Sequence, residues 1–555
     1  MKRKVILKNI FIGFNLAFII LFLTWIGCRK VPIVYTTSDV VNITGYLDEH
    51  PDTFSEFREI LKITGDEGFL GAYGTYTLFL PTNDAINAYL QKIGKSSVND
   101  VNIDTLKALV RFHLLMDTLY TTSFTDGKLP VLNMYGQYLT TLAVNENGIT
   151  HIQVNRQAYI IQSNIRVGNG VIHVIDHVLE PAKYTLAQLI ENNPRYSIFA
   201  QALRATGYYD TLNIQPNKNP DTTEAWLTVI AESDSVLQAA GFNSFEDLKA
   251  RYDNLGNPMD PNDSLHVFVA YHILYGALYL ADIVSSSSHH TLVPDEVVTS
   301  KLVGQTVLIN DDVFNGVHEP GVILDRSYGD ISATNGVLQD AEGHFTVKVR
   351  TPFPVYWDVC RFPEIMNLPQ YYQKQNYSFT LSNMPSFIND PGPSGVNYKV
   401  GGTFVYGDYL EIPLGGPGRS PWIEFKTPLI VKGKYKVWIC YRTAKGCGSC
   451  TNVNQISIDG VPLQRTMNFT VYMPTGTDAE MEAQGWKYYT YPPSRNWASQ
   501  LVGTIDIKTT DTHVIRFTTL QGTQNTNWLD MIEFIPVDMD QIYPRFDQAG
   551  NPHYQ

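Results

Sequence analysis

Apolar runs that end in a polar turn occur twice in the first two thirds of the chain. TLFLPTNDAI at residues 77 to 86 and TVIAESDSVL at 228 to 237 each predict a buried β-strand that passes into a helix. Thr82 with Asn83, and Ser233 with Asp234, stand where a side-chain oxygen caps a helix by accepting backbone N–H bonds. An amphipathic helix follows each. Ile103, Leu106, Val110 and Leu114 recur at helical spacing around Phe112-His113, and Leu265 and Phe268 lead to Tyr271-His272. A turn and strand come third, NGVIHVID at 169 to 176 and NGVLQDAE at 335 to 342, with Gly170 and Gly336 supplying the permissive backbone of a strand-entering turn. From 77 to 228, 113 to 272 and 169 to 335 the offsets are 151, 159 and 166 residues, a steady drift that predicts one duplicated domain with loop insertions.

These landmarks resemble the two characteristic segments and the central Tyr-His motif of the fasciclin domain. The first copy, residues 39–182, departs from the pattern in Phe112, which replaces the tyrosine. The second, 183–365, keeps Tyr271-His272 and Asn335-Gly336 but has Glu232 in place of the proline and lacks the IHVID strand. The resemblance implies two compact α+β domains, from a family that acts in adhesion, matrix and surface interactions. His113 and His272 sit at apolar helix ends, where a histidine more often bonds a neighbouring strand than serves as base or ligand. His173 and His177 alternate with Val174 and Val178, and His289-His290 follows the run Ser285 to Ser288 as an exposed loop.

Beyond Phe345 to Arg350, an alternating strand expected to close the second copy, the stretch Pro352 to Asn376 reads as a packed linker. The period then becomes that of short strands. Tyr435, Val437, Ile439 and Tyr441 alternate with Lys434, Lys436, Trp438 and Arg442, and further short strands follow, so residues 366–540 predict an all-β jelly-roll sandwich with 541–555 as a tail. WIEFKTP, GKYKVWICYRT, ISIDGVPL, HVIRF and NWLDMIEF, in that order, resemble galactose-binding-like carbohydrate-binding modules. In many of these an asparagine directly before the last motif holds the sugar; here that position is Trp528, with Asn527 one residue earlier. Sugar binding needs an aromatic plane for C–H faces and polar side chains for hydroxyls. Tyr406, Asp408, Tyr409, Trp486, Trp497, Asn525, Asn527 and Trp528 are the candidates, weighed against a core that buries aromatics for packing alone.

The first residues concern location. Lys2, Arg3 and Lys4 precede an apolar run, Ile10 to Ile26, that stops at Gly27-Cys28. This resembles a bacterial lipoprotein signal, 1–27, with Cys28 as the acylated residue and 28–38 as a linker; Trp25 stands where the usual pattern has leucine, and the alternative is an uncleaved transmembrane helix. A formal charge of -13 and the lack of Lys/Arg runs exclude a nucleic-acid partner. Cys447 and Cys450 form one compact pair, too little for a zinc ribbon or a disulfide framework. No Walker loop, nucleophile elbow or H-E-x-x-H helix occurs, so no catalytic residue, metal or cofactor is expected. The combination resembles the accessory surface lipoproteins of Bacteroidetes and predicts a non-enzymatic adhesion or glycan-capture protein of the outer membrane. It would face the cell surface or the periplasm, with a polysaccharide and an outer-membrane transporter complex as partners. A structural envelope protein that binds other proteins and a cryptic glycoside-active enzyme are the alternatives.

Overall fold

A computed structural model describes residues 40–554 apart from 73, 147, 315, 394, 417, 444–450 and 524–526. The expected leader 1–27, Cys28, the linker, Cys447, Cys450 and Asn525 lie outside the described residues. The chain falls into two compact units. One comprises residues up to Phe124 with Val131–Gly136 and Ala143–Glu180, and the other comprises Thr125–Pro130, Gln137–Leu142 and Pro181 onward.

In the first unit the apolar run forms strand β1 (Tyr76–Pro81) and enters helix α1 (Asn83–Lys92), capped by Thr82 accepting from Ala85 N. Helix α2 (Ile103–Phe112) ends at His113, and strand β2 (Gly170–Ile175) lies parallel to β1 with Tyr76 opposite Gly170 and Pro81 opposite Ile175. Leu78, Leu80, Ile86, Leu106, Val110 and Ile172 share one core. Gly170 is required by close approach: a Cβ there would lie 2.0 Å from Tyr76 O.

The second unit repeats this local arrangement. Strand β3 (Leu227–Glu232) enters helix α3 (Asp234–Ala239), capped by Ser233. Helices α4 (Phe245–Tyr252) and α5 (Ser264–Tyr271) follow, and strand β4 (Gly336–Ala341) runs parallel to β3 with Leu227 opposite Gly336 and Glu232 opposite Ala341. A Cβ on Gly336 would lie 1.9 Å from Leu227 O. The residues before the two glycines do the same work. Asn169 Nδ2 donates to Leu70 O and Ala72 O at 2.7 and 2.9 Å, and Asn335 Nδ2 donates to Leu212 O and Ile214 O at 2.8 and 3.0 Å. Two expectations fail here. Phe345 to Arg350 is not a strand, because the Phe345 N–H is taken by the Glu232 carboxylate. His289 is buried in the short strand Ser288–His290, which pairs with residues 297–299.

From Val355 the second unit continues as two β-sheets around one core. An eight-stranded sheet contains β5 (Val355–Asp358), β6 (Val396–Val400), β7 (Asp408–Ile412), β8 (Gly433–Arg442), β9 (Trp497–Ile507) and β10 (Asn527–Pro536). The five-stranded sheet places Trp422–Ile430, Asp511–Gly522 and Asn452–Ile458 side by side. Val437, Ile439, Tyr441, Leu529 and Phe534 of the first sheet meet Phe425, Ile456 and Phe517 of the second. Two boundaries move. The expected linker contains β5, which pairs with β10, so the two-sheet part starts before residue 366. The expected tail 541–555 packs onto the outer face of the larger sheet: Trp438 Nε1 donates to Gln541 Oε1 at 3.0 Å, and Phe546 exchanges backbone hydrogen bonds with Tyr489 and Tyr491. The cause is that β8 and β10 are apolar on both faces, with Trp438, Cys440 and Met531 needing cover.

Candidate functional site

Four adjacent strands, β7, β10, β8 and β9, carry Glu411, Trp528, Arg442 and Trp497 directly opposite one another. Strand alternation sends their neighbours Ile412, Leu529, Tyr441 and Ala498, all fully buried, into the core, so the four form a row on the outer face. Asn397 of β6 and Ser378 prolong it. Hydrogen bonds run along the row: Ser378 Oγ to Asn397 Oδ1 at 2.7 Å, Asn397 Nδ2 to Glu411 Oε1 at 3.1 Å and Trp528 Nε1 to Glu411 Oε2 at 3.3 Å. The Arg442 guanidinium sits 4.6 Å from the Trp528 ring centre and 5.1 Å from that of Trp497. Tyr409 meets Trp528 edge-on at 6.1 Å and stacks on Phe404 at 4.1 Å.

Arg442 Nε and Trp497 Nε1 are buried and have no hydrogen-bond partner among the described residues. A buried donor left unmade costs about 1–3 kcal/mol. The half-buried Trp528, Trp497 and Tyr409 rings, beside the Arg442 guanidinium and the Glu411 carboxylate, suit a ligand that has both C–H faces and hydroxyl oxygens.

Of the sequence candidates, Tyr409, Trp497 and Trp528 are brought together here. Trp528 faces outward, not inward with Ile532, because a β-bulge at Asp530 breaks the alternation of β10. Trp486 stands apart, half-buried against the sandwich core at the start of the strand Trp486–Tyr488. Tyr406 lies under the Arg361 guanidinium, 4.3 Å away, in a left-handed conformation at φ 57°. Asn527 is corrected as a ligand candidate. It is fully buried, donating to Ile412 O and Leu414 O at 3.0 and 2.9 Å and accepting from Asn452 Nδ2 at 2.6 Å, so its amide is spent on joining the two sheets. Arg442 and Glu411 were missed; the one available signal was that both alternate outward on apolar strands.

Asp408, a candidate for sugar hydroxyls, belongs to a different cluster. It is buried with Asp358, Asp530 and Cys360, and one ligand atom from each of Asp358, Cys360 and Asp408 lies within 4.8 Å of the others. Each aspartate has one oxygen engaged and one without a partner among the described residues. Tyr398 Oη donates to Asp408 Oδ2 at 2.7 Å, Cys360 N to Asp358 Oδ1 at 2.8 Å, and Tyr489 Oη with Val405 N to Asp530 Oδ2 at 2.9 and 3.2 Å. Burial pushes the Asp408 carboxyl up to about 6; burial together with the neighbouring aspartates raises Asp358 and Asp530 well above the carboxylate range. Such oxygens are suited to a hard divalent cation, and the Cys360 thiol to a softer one. These donors sit on strands far apart in sequence, so no local spacing marked them.

The paired histidines are buried in hydrogen bonds. His113 Nδ1 donates to Leu109 O at 2.8 Å and its Nε2 accepts from Leu179 N at 2.9 Å. His272 Nδ1 donates likewise to Phe268 O at 2.8 Å.

Comparison with known proteins agrees in one region. A family model described as Fasciclin domain matches residues 52–181. Protein sll1483 of Synechocystis sp. is 30% identical over 130 residues, 23% of this chain and 68% of that protein. Transforming growth factor-beta-induced protein ig-h3 of Sus scrofa is 27% identical over 223 residues, 40% of this chain and 29% of its own length. The chain thus spans about a third of the ig-h3 relatives it matches, 29% and 34% of their lengths. Among solved structures, a family 35 carbohydrate binding module from Clostridium thermocellum is 13% identical, covering 29% of this chain and 98% of that chain at a TM-score of 0.17, too loose to establish a correspondence.

Proposed function

Since this chain belongs to the fasciclin-domain family through residues 52–181, we propose that it is a non-enzymatic adhesion or glycan-capture protein of the cell envelope, and that its ligand site is the outward row on the C-terminal two-sheet part. The observation that carries this reading is the alignment of Glu411, Trp528, Arg442 and Trp497 across four strands on the outer face. Indole faces take sugar C–H surfaces, while the guanidinium and the carboxylate take hydroxyls. A single shallow site of this kind binds weakly, so repeated units of a polymer would supply avidity.

We read residues 183–365 as a second, divergent fasciclin-like domain, on the support of the matching β3/β4 register and the Asn169 and Asn335 hydrogen bonds. Anchorage through an acylated Cys28, a place on the outer membrane at the cell surface and service to a nutrient transporter of Bacteroidetes type complete the proposal. They rest on the leader sequence and the domain combination, and fatty-acid labelling of wild type but not of Cys28→Ser tests the anchor.

A glycan array probed with the full chain tests the function. Retention on one glycan class, lost in Trp497→Ala, is the expected result, and an array blank at high protein concentration contradicts it. One observation favours the structural alternative: Leu302, Val303, Val313 and Val317, on short strands, are 51%, 55%, 62% and 66% exposed, apolar side chains that a protein partner could cover. Capture of a defined envelope protein by an array-negative chain would select that reading.

A further inference from the structure

We propose that Lys487 and Glu533 condense to an amide, so that a covalent bond between their side chains ties the edge strand Trp486–Tyr488 to β10 beneath the C-terminal segment.

The strand order of the larger sheet separates the two residues by β8 and β9. Lys487 stands opposite Ser499 of β9, which stands opposite Cys440 of β8, while Glu533 stands between Trp438 of β8 and Tyr356 of β5. Cross-strand partners share a face, so both side chains lie on the outer face that Trp438 and Cys440 occupy. There Lys487 Nζ sits over the Trp438 ring, 5.1 Å from its centre, and 2.5 Å from Glu533 Oε2. The C-terminal segment closes over the pair: Nζ donates to Gln541 O at 2.8 Å, and Trp438 Nε1 donates to the Gln541 side chain.

Burial sets this pair apart. The two side chains are 1% and 0% exposed, and among the described residues no other lysine–carboxylate pair is buried on both sides. The contact also lacks the direction of a settled ion pair, which aims an N–H at a carboxylate oxygen. Nζ spends its hydrogen bond on Gln541 O, and neither Glu533 oxygen accepts one from a described residue although Oε2 is 2.5 Å away. A C–O bond of about 1.2 Å then puts Nζ no more than about 3.7 Å from Cδ, against the separation of about 3 to 3.5 Å at which positioned groups react. Two charges held out of water are costly, and condensation removes both at once. The covered site withholds the water that hydrolysis would need.

The step balances within the pair. One proton passes from Nζ to Oε2, and the freed Nζ lone pair attacks Cδ. As the tetrahedral carbon collapses, the Cδ–Oε2 bond breaks and its oxygen leaves with that proton and a second one from the nitrogen, as one molecule of water. The third ammonium proton stays on the amide. The positive and negative charges cancel, nothing is oxidised or reduced, and no co-reactant enters.

Peptide mapping of the folded full chain by mass spectrometry, after denaturation and trypsin digestion, tests the cross-link. The expected product is a pair of peptides joined through Lys487 and Glu533, lighter by one water than the two together, with the bond after Lys487 left uncut because an acylated lysine is no trypsin site. Lys487→Arg keeps a cation at this position but cannot form the amide, and should release two separate peptides of full mass. If that variant does not fold, fragment ions of the wild-type product locate the bond. Wild type that yields Lys487 and Glu533 only in separate peptides after prolonged incubation overturns the proposal. So does a loss of water that persists in Lys487→Arg, or fragment ions that place the link at any other residue.

Discussion

Arg442 lies across Trp528 with its guanidinium carbon 4.6 Å from the indole centre, and among the described residues it forms no ion pair. Its Nε is buried without an acceptor among those residues. A cation kept in that position contributes little to folding beyond its contact with two rings, so Arg442→Ala should remove ligand binding while leaving the unfolding free energy within about 1 kcal/mol of wild type. Chemical denaturation beside a binding assay checks both halves. A large loss of stability would make Arg442 a packing residue.

Asn527 should behave in the opposite way. Its amide serves Ile412 O, Leu414 O and Asn452 at once, so Asn527→Ala orphans several buried polar groups and should cost about 2–4 kcal/mol. Denaturation with urea measures it. A stable variant that had merely lost affinity would restore Asn527 as a ligand residue.

His113 gives the first unit an acid limit. Its folded pKa of about 4 is below the usual value of 6.5, so the unfolded chain binds the proton more readily. The associated stability is complete above about pH 6.5 and falls as pH drops towards 4, by about 3 kcal/mol in all. Stability measured at several pH values through a reporter in the first unit should show this fall, and His113→Gln should flatten it.

The buried aspartates predict a dependence on divalent cations. Burial raises Asp358 and pushes Asp408 up to about 6, which favours the proton there; a cation would compete for the oxygens of Asp358 and Asp408 that have no partner among the described residues. Metal-free protein should therefore melt several degrees lower than protein supplied with calcium or zinc, the more effective ion revealing whether Cys360 takes part. The same melting temperature with chelator and with either ion would contradict this, as would an unaltered cation response in Asp358→Asn.

The strand-to-helix segments and both histidines were legible because each rests on contiguous residues: an apolar run, a capping hydroxyl, a glycine facing a carbonyl. The outward row was half legible. Tyr409, Trp497 and Trp528 announce themselves as aromatics near loops, but Glu411 and Arg442 become partners only through the strand order β7, β10, β8, β9, which no local pattern encodes. Which residues of β10 face outward was not legible, since the bulge at Asp530 reverses which face each later residue occupies. The segment after residue 540 looked like a tail because its polar residues conceal that Gln541 and Phe546 cover apolar side chains on the back of β8.

The central claim is that the row binds a glycan. Its most direct test is calorimetric titration of the full chain with a panel of neutral and acidic polysaccharides, alongside Trp528→Ala. The account predicts saturable binding to at least one of them, with a Kd per site in the micromolar to millimolar range, about -8 to -4 kcal/mol, abolished in a variant whose folding is intact. Binding that survives both Trp528→Ala and Trp497→Ala, or no heat from any polysaccharide with wild type, would contradict it.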